Sequence, residues 1–304
     1  MKPSGIFYRF NLCNLVYTLA VIVWGAFVRA SESGAGCGAH WPLCNGEILP
    51  TSPSLEMLIE FTHRWTSGIS LMLVAVGVFL AHKLGEKGSP IKRAANFTGL
   101  AIVLEALIGA GLVLLKLVEF DQSMARAISI SMHLVNTVFL VASLVSLTYL
   151  SKDDSAYQPG RRNFFPKDAF YRGTLAVFII LGISGAVAAL GDTLFKSTSL
   201  ASGFAQDLAS DAHFLVKLRI FHPAFACLWL FLGFIWSQKL LTRPDLIRVR
   251  GFFLTALVSQ FTLGIINWLL LAPTYLQLVH LCIAQVVFIS FWLSGLLWSE
   301  KELA

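Results

Sequence analysis

Charge is what this chain has little of. Only 13% of its 304 residues are Asp, Glu, Lys or Arg, where a soluble domain carries about 25%. With 56% hydrophobic residues and a mean hydropathy of +0.72, its apolar surface exceeds what one core can hide. It is the composition of a polytopic membrane protein. The formal charge of +6 is not gathered into a basic stripe, so no nucleic-acid partner is expected. An Arg- and Ser-rich transit segment is also lacking, which favours a bacterial inner membrane over an organelle.

What is present is a series of apolar runs, at roughly 10–30, 61–84, 94–116, 126–150, 170–191, 214–238, 251–272 and 275–299. Most reach the roughly 20 residues needed to cross a bilayer. Lys2, Arg9, Lys83, Lys87, Lys92, Arg93, Lys152, Arg161, Arg162, Lys167, Arg172, Lys239, Arg243, Arg248, Arg250 and Lys301 fall on one side of such a topology. Arg29, Arg64, Lys116, Arg126, Lys196, Lys217 and Arg219 fall on the other. The bias predicts eight spans with both termini cytoplasmic. The first run is read as a retained span rather than a signal peptide, because Arg29 and Glu32 interrupt any small-residue cleavage pattern.

The two halves repeat. Gly25-Ala26-Phe27-Val28 has a counterpart in Gly185-Ala186-Val187-Ala188, and Glu105 and Gly109 match Gln260 and Gly264. His63 matches His222, and His133-Leu134 matches His280-Leu281. The expected fold is all-α: two four-helix bundles related by a pseudo-two-fold axis along the membrane normal. The predicted division is 1–150 for the first bundle, 151–169 for a cytoplasmic linker and 170–304 for the second. Two outer loops are long, 31–57 and 192–213, and are candidate lids.

An imidazole within a bilayer is costly and is seldom there without purpose. His63, His133, His222 and His280 recur at matching depths, about 10 Å below the outer surface for His133. Each pair comes from two non-adjacent spans, which suits an iron held between helices of a bundle. The four residues are therefore read as axial ligands of two bis-histidine haem sites. The alternative is that each imidazole bonds a carbonyl or a neighbouring helix.

The halves also differ. Glu60 stands three residues before His63, on the same helix face. It is either a proton acceptor or an electrostatic partner for a cationic intermediate in the first pocket, or else a helix N-terminal carboxylate favoured by the macrodipole or a partner of Arg64. The second half carries Arg219 at that position, suited to a haem propionate. This predicts a catalytic first half and an electron-storing second half. Cys37 and Cys44 are near enough in sequence to pair across the first outer loop, as a structural disulfide or a redox-active one. Cys13, Cys227 and Cys282 are read as packing residues. His40 and His213, on outer loops, are within reach of propionates. Glu105, inside a span, faces the first pocket or is neutral and hydrogen-bonded.

Ser33-Gly34-Ala35-Gly36-Cys37-Gly38, Trp41-Pro42-Leu43-Cys44-Asn45-Gly46 and Glu60-Phe61-Thr62-His63-Arg64 resemble the haem A synthase family. The likeness covers nearly the whole chain and includes the single histidines of spans four, six and eight. It implies an enzyme that oxidises a ring methyl group of haem O to a formyl group by successive hydroxylations, giving haem A for terminal oxidases. His63 and His133 would flank the substrate haem with Glu60 assisting, Cys37 and Cys44 would pair, and His222 and His280 would hold a haem b cofactor. Partners implied are haem O synthase, terminal oxidase assembly factors, lipid and a second copy of the chain. Two features depart from some members: the second half lacks the cysteine pair, and His222 is followed by Pro223.

Two other readings stand beside the enzyme. A dihaem, quinol-linked electron-transfer protein explains four histidines equally well, but not Glu60 in one half only. A transporter of parallel repeats would want broken helices, and the sequence suggests none at the histidine level.

Overall fold

The computed structural model describes residues 3–159 and 165–300. Lys2, Arg161, Arg162 and Lys301, counted in the charge bias, lie outside them, as does part of the 151–169 linker. The described chain is helical, with α1 (Pro3–Ala30), α2 (Leu55–Leu84), α3 (Pro90–Leu114), α4 (Met124–Leu150), α5 (Ala169–Leu194), α6 (Leu200–Leu208), α7 (Phe214–Arg219), α8 (Phe221–Leu240), α9 (Ile247–Leu269) and α10 (Thr274–Glu300). Among the described residues the sole β pairing is an isolated bridge between Cys44 and Glu47 in the first long loop. Eight stretches are long and apolar enough to cross a membrane, the sixth being α7 and α8 together.

Capping explains why helices start before their apolar runs. Ser54, Ser123 and Asp168 each accept the backbone N–H three residues on, starting α2, α4 and α5. Pro90 opens α3 at a position where its missing N–H costs nothing. Helix α2 consequently begins at Leu55 rather than near 61, its first turn carrying Glu56 toward the positive end of the helix dipole. That moves His63 inward. Counted from the start of each span, the four histidines lie six to nine residues in, a depth of roughly 9–14 Å.

One expectation fails. The sixth span is not a single rod: α7 ends at Arg219 and α8 starts at Phe221, two residues before Pro223. A proline lacks the N–H that would bond the carbonyl four residues earlier, and its ring crowds that carbonyl, which here belongs to Arg219. The helix is therefore interrupted beside His222, and the signal was Pro223 itself.

Helices α1 to α4 close a ring, each packing on the next and α4 returning to α1. In the second half α5 packs on α7 and α8, α8 on α9, and α9 on α10. The halves meet where α4 packs on α5 and α10, and α1 on α10. Their shared core holds Leu140 and Leu144 of α4 against Phe288 and Trp292 of α10. The Trp292 indole N–H donates to the Ser146 hydroxyl at 2.8 Å across that seam. The core lies toward the end of the molecule where the chain termini are. The histidines sit toward the opposite, loop-bearing end.

Candidate functional site

Each of the four histidines rests on a glycine of the preceding long helix. A Cβ on Gly25 of α1 would lie 2.8 Å from the His63 ring, and one on Gly185 of α5 2.8 Å from the His222 ring. For Gly264 and His280 the distance is 3.1 Å, and for Gly109 and His133 it is 3.8 Å. The glycines noticed as a sequence repeat are thus the cradles that let the rings seat against the neighbouring backbone.

Buried ring nitrogens are left without hydrogen bonds: Nδ1 of His63 and of His280 has no partner, and Nδ1 of His133 has only the Glu105 carboxyl nearby, at 3.4 Å. Such groups are rare in a folded interior and ask for an occupant. The His222 and His280 rings face each other with centroids 6.5 Å apart and planes at 85°. With metal–imidazole bonds of about 2 Å, that separation admits one metal ion between them. The chemistry and cradles of both pairs fit a porphyrin iron.

Around the first pair the loop 31–54 is fastened to α2. Cys37 and Cys44, both fully buried, are paired at S–S 2.03 Å with Cα atoms 4.4 Å apart. Gly36 packs directly on the backbone of Glu56 and Met57. Glu60 is buried, and its Oε2 accepts the Cys37 N–H at 2.7 Å. Its Oε1 accepts from Arg64 Nε at 3.1 Å and from Nη2. Arg64 Nη1 donates in turn to the carbonyls of His40 and Leu43. Of the alternatives for Glu60, the pairing with Arg64 is present, and the carboxyl lies one turn from His63 under the cysteine loop.

Around the second pair the architecture differs. Arg219 is committed to protein carboxylates, with Nε 2.5 Å from Asp207 and Nη1 3.2 Å from Asp192. It also reaches Gln206 and the carbonyls of Phe195 and Gly203. The arginine expected to await a propionate instead holds α6 against α5 and α7. Helix α6 starts on a capping box between Ser199 and Ser202, and its Phe204 meets Trp268 of α9 edge-on at 5.5 Å. His213 caps α7 by accepting the Leu215 N–H at 3.4 Å and stacks on Phe195 at 5.0 Å. Ser184 Oγ lies 3.3 Å from His222 Nδ1.

Several contacts were invisible in the sequence. Arg29 of α1, taken only as an outer charge, donates to the Ala189 carbonyl at 2.9 Å and to Thr193 at 3.1 Å in α5, and to Gln277 of α10 at 3.1 Å. It joins the halves one turn above Gly25. Glu105 lies 3.4 Å from His133 Nδ1, and Gln260 lies 3.0 Å from His280 Nε2. Cys13, Cys227 and Cys282, expected as packing residues, are free and exposed. His82 is also exposed and bonds Asn96 at 2.7 Å.

Comparison with known proteins places these features. The sequence pattern of the COX15-CtaA family, described as cytochrome oxidase assembly protein, matches residues 8–292. A protoheme IX farnesyltransferase of Thermus thermophilus is 38% identical over 280 residues, 91% of this chain and 46% of that protein. A heme A synthase of Halalkalibacterium halodurans is 34% identical over 170 residues, 56% of this chain and 53% of that protein. A heme A synthase of Bacillus licheniformis is 34% identical over 174 residues, 57% and 52% respectively. The alignments cover about half the length of these curated relatives.

Proposed function

This chain belongs to the COX15-CtaA family of cytochrome oxidase assembly proteins, and from that premise we propose that it is a haem A synthase. The substrate is haem O, whose ring methyl is oxidised to a formyl group by successive hydroxylations. The carrying observation is the fourfold glycine-cradled histidine, with orphaned ring nitrogens in both halves. His63 and His133 hold the substrate haem, and His222 and His280 hold a resident haem b. Haem iron between imidazoles supplies reversible one-electron redox chemistry.

The protein residues have separate tasks. Gly25 and Gly109 admit the substrate-holding rings. Glu60 presents a carboxyl one turn from His63, held in place by the Cys37 N–H and Arg64, where it would take up a proton released in the oxidation. The disulfide of Cys37 and Cys44 keeps the loop folded over this pocket and excludes water. Arg219, through Asp192 and Asp207, holds α6 as the corresponding cover of the haem b pocket.

We place residues 1–150 in the substrate bundle, 151–169 in a linker and 170–304 in the haem b bundle, related by a pseudo-two-fold axis. The basic residues put both termini in the cytoplasm of a bacterium. Haem O synthase and oxidase assembly factors are the expected neighbours in the inner membrane. The Thermus relative is named for farnesylation of protohaem, but the match covers 46% of that protein, and prenyl transfer makes no use of axial histidines.

Pigment extraction tests the reading. The full chain, expressed in cells that make haem O and no haem A, should yield a haem whose mass corresponds to methyl-to-formyl conversion. Unchanged haem O with protohaem in both sites would favour the electron-transfer protein. Farnesylation of added protohaem by farnesyl diphosphate would favour the transferase.

A further inference from the structure

The same helix position next to a histidine carries an acid in one half and an amide in the other. Glu105 precedes Gly109 on α3, and Gln260 precedes Gly264 on α9, each by four residues, so acid or amide and cradle share one face. Glu105 Oε1 lies 3.4 Å from His133 Nδ1. Gln260 Nε2 lies 3.0 Å from His280 Nε2, the other of the two ring nitrogens, leaving Nδ1 as the open one on that imidazole.

The acid is built in rather than incidental. Its Oε2 accepts from Asn136 Nδ2 at 2.6 Å, and the same amide donates to the Ala101 carbonyl at 2.9 Å. Its Oε1 is met by the Thr137 hydroxyl, which also stands 2.8 Å from the His133 carbonyl. The Asn136 amide fixes Oε2 as an acceptor, while the Thr137 hydroxyl has one hydrogen to share between Oε1 and the His133 carbonyl. A carboxylate inside a span is expensive, and three residues of α3 and α4 are spent on holding it beside one imidazole. Gln260 has no comparable support: its Oε1 is buried without a partner.

We propose that Glu105 is a positioning residue that acts through His133, and that Gln260 is its neutral counterpart at His280. This rests on the reading of both histidines as axial ligands. A carboxylate on the far nitrogen of a ligating imidazole fixes the ring and makes it a stronger electron donor. The iron of the first half is thereby biased toward its oxidised state. That of the second half, next to a neutral amide, is biased toward its reduced state. The pair is poised so that electrons leaving the substrate half have a lower-energy destination in the cofactor half.

Reciprocal exchange is the test, read as midpoint potentials by optical redox titration of the purified full chain in detergent, loaded with protohaem. Signals are assigned to halves with His133→Ala and His280→Ala. Glu105→Gln should raise the potential of the first-half haem, Gln260→Glu should lower that of the second, and Glu105→Asp should return part of the shift. Should Glu105→Gln not fold, the sign of the Gln260→Glu shift decides alone. Unchanged potentials, or shifts of the wrong sign, overturn the proposal. So does a loss of stability with potentials intact, since a purely structural role would do that. If wild-type protein binds no haem that the histidine variants remove, it is the axial-ligand reading that fails.

Discussion

The two ends of the repeat are built on the same cradle and covered in different ways. In the first half a loop containing two cysteines is tied to α2 by one carboxylate, Glu60, and one guanidinium, Arg64. In the second a short helix is tied to α5 and α7 by the reverse arrangement, one guanidinium between two carboxylates. Beneath them the histidine–glycine contacts match, while the polar neighbour changes from Glu105 to Gln260. What the halves share is the seating of a histidine ring against a glycine of a neighbouring helix. What diverged is the charge around it, and charge near a redox centre, in a medium that screens poorly, decides what that centre does.

The comparison breaks most sharply at the histidines. His63→Ala or His133→Ala should abolish haem A formation while a reducible haem persists in the second half. If that haem disappears with His63→Ala and survives His222→Ala, the roles of the halves are reversed. Pigment extraction together with difference spectra of the same membranes reads both outcomes.

Glu60→Gln comes next. The variant keeps the shape and loses the charge, so haem should remain bound while turnover falls about a hundredfold, the scale of a missing proton acceptor. Wild-type haem A yield would leave Glu60 as the fastener of the loop alone. Protease nicking within residues 38–50 should increase in either case.

A graded series tests the cradles. Gly25→Ala and Gly185→Ala place a methyl 2.8 Å from an imidazole, Gly264→Ala places it at 3.1 Å and Gly109→Ala at 3.8 Å. Overpacking of this kind costs about 1–3 kcal/mol. Haem retention on dilution should fall most for the first two, less for Gly264→Ala, and hardly at all for Gly109→Ala. An equal loss at all four positions would mean that the rings can move aside.

The smallest effect lies outside the membrane. Asp168 caps α5 and pairs with Lys239 of α8. Burial alone would push its carboxyl up, but the Lys239 ammonium and the Tyr171 N–H outweigh it and hold the carboxyl below its ordinary value. A carboxyl lowered on folding stabilises the protein above its unfolded-state value, and the stabilisation is lost as pH falls through the folded one. Asp168→Asn keeps the cap and loses the Lys239 ion pair, so it should melt slightly earlier than wild type at neutral pH, by about 0.2–1 kcal/mol, with the difference vanishing on acidification below the carboxylate range. No loss at neutral pH would remove this contact from the second half's stability.

The legible part of the molecule was the part that lipid and helix periodicity dictate. All eight spans were placed, and the histidine and glycine repeats led to the cradles because helical neighbours obey fixed spacings. The helix starts were set by capping residues such as Ser54, which a search for apolar runs passes over. The interruption beside His222 was written in Pro223 and went unread. The protein partners of Arg219 were not legible for a different reason: an arginine at the right level has five donors and no label saying whether a ligand or a carboxylate will meet them. Helix α6 was missed as a helix because nine amphipathic residues inside a loop give only a weak periodic signal.

The sequence by itself determined the eight stretches, among the described residues, that are long and apolar enough to cross a membrane, and the pair of histidines carried by each half. A bilayer leaves the backbone few choices, and an intramembrane imidazole cannot pass unnoticed. Only the tertiary structure decided which charges meet. Glu60 and Cys37 are separated by 23 residues, Glu105 and Asn136 by 31, and Arg29 and Ala189 by 160. Such pairings depend on how helices are rotated and which loop folds over which end, and local spacing carries no record of either.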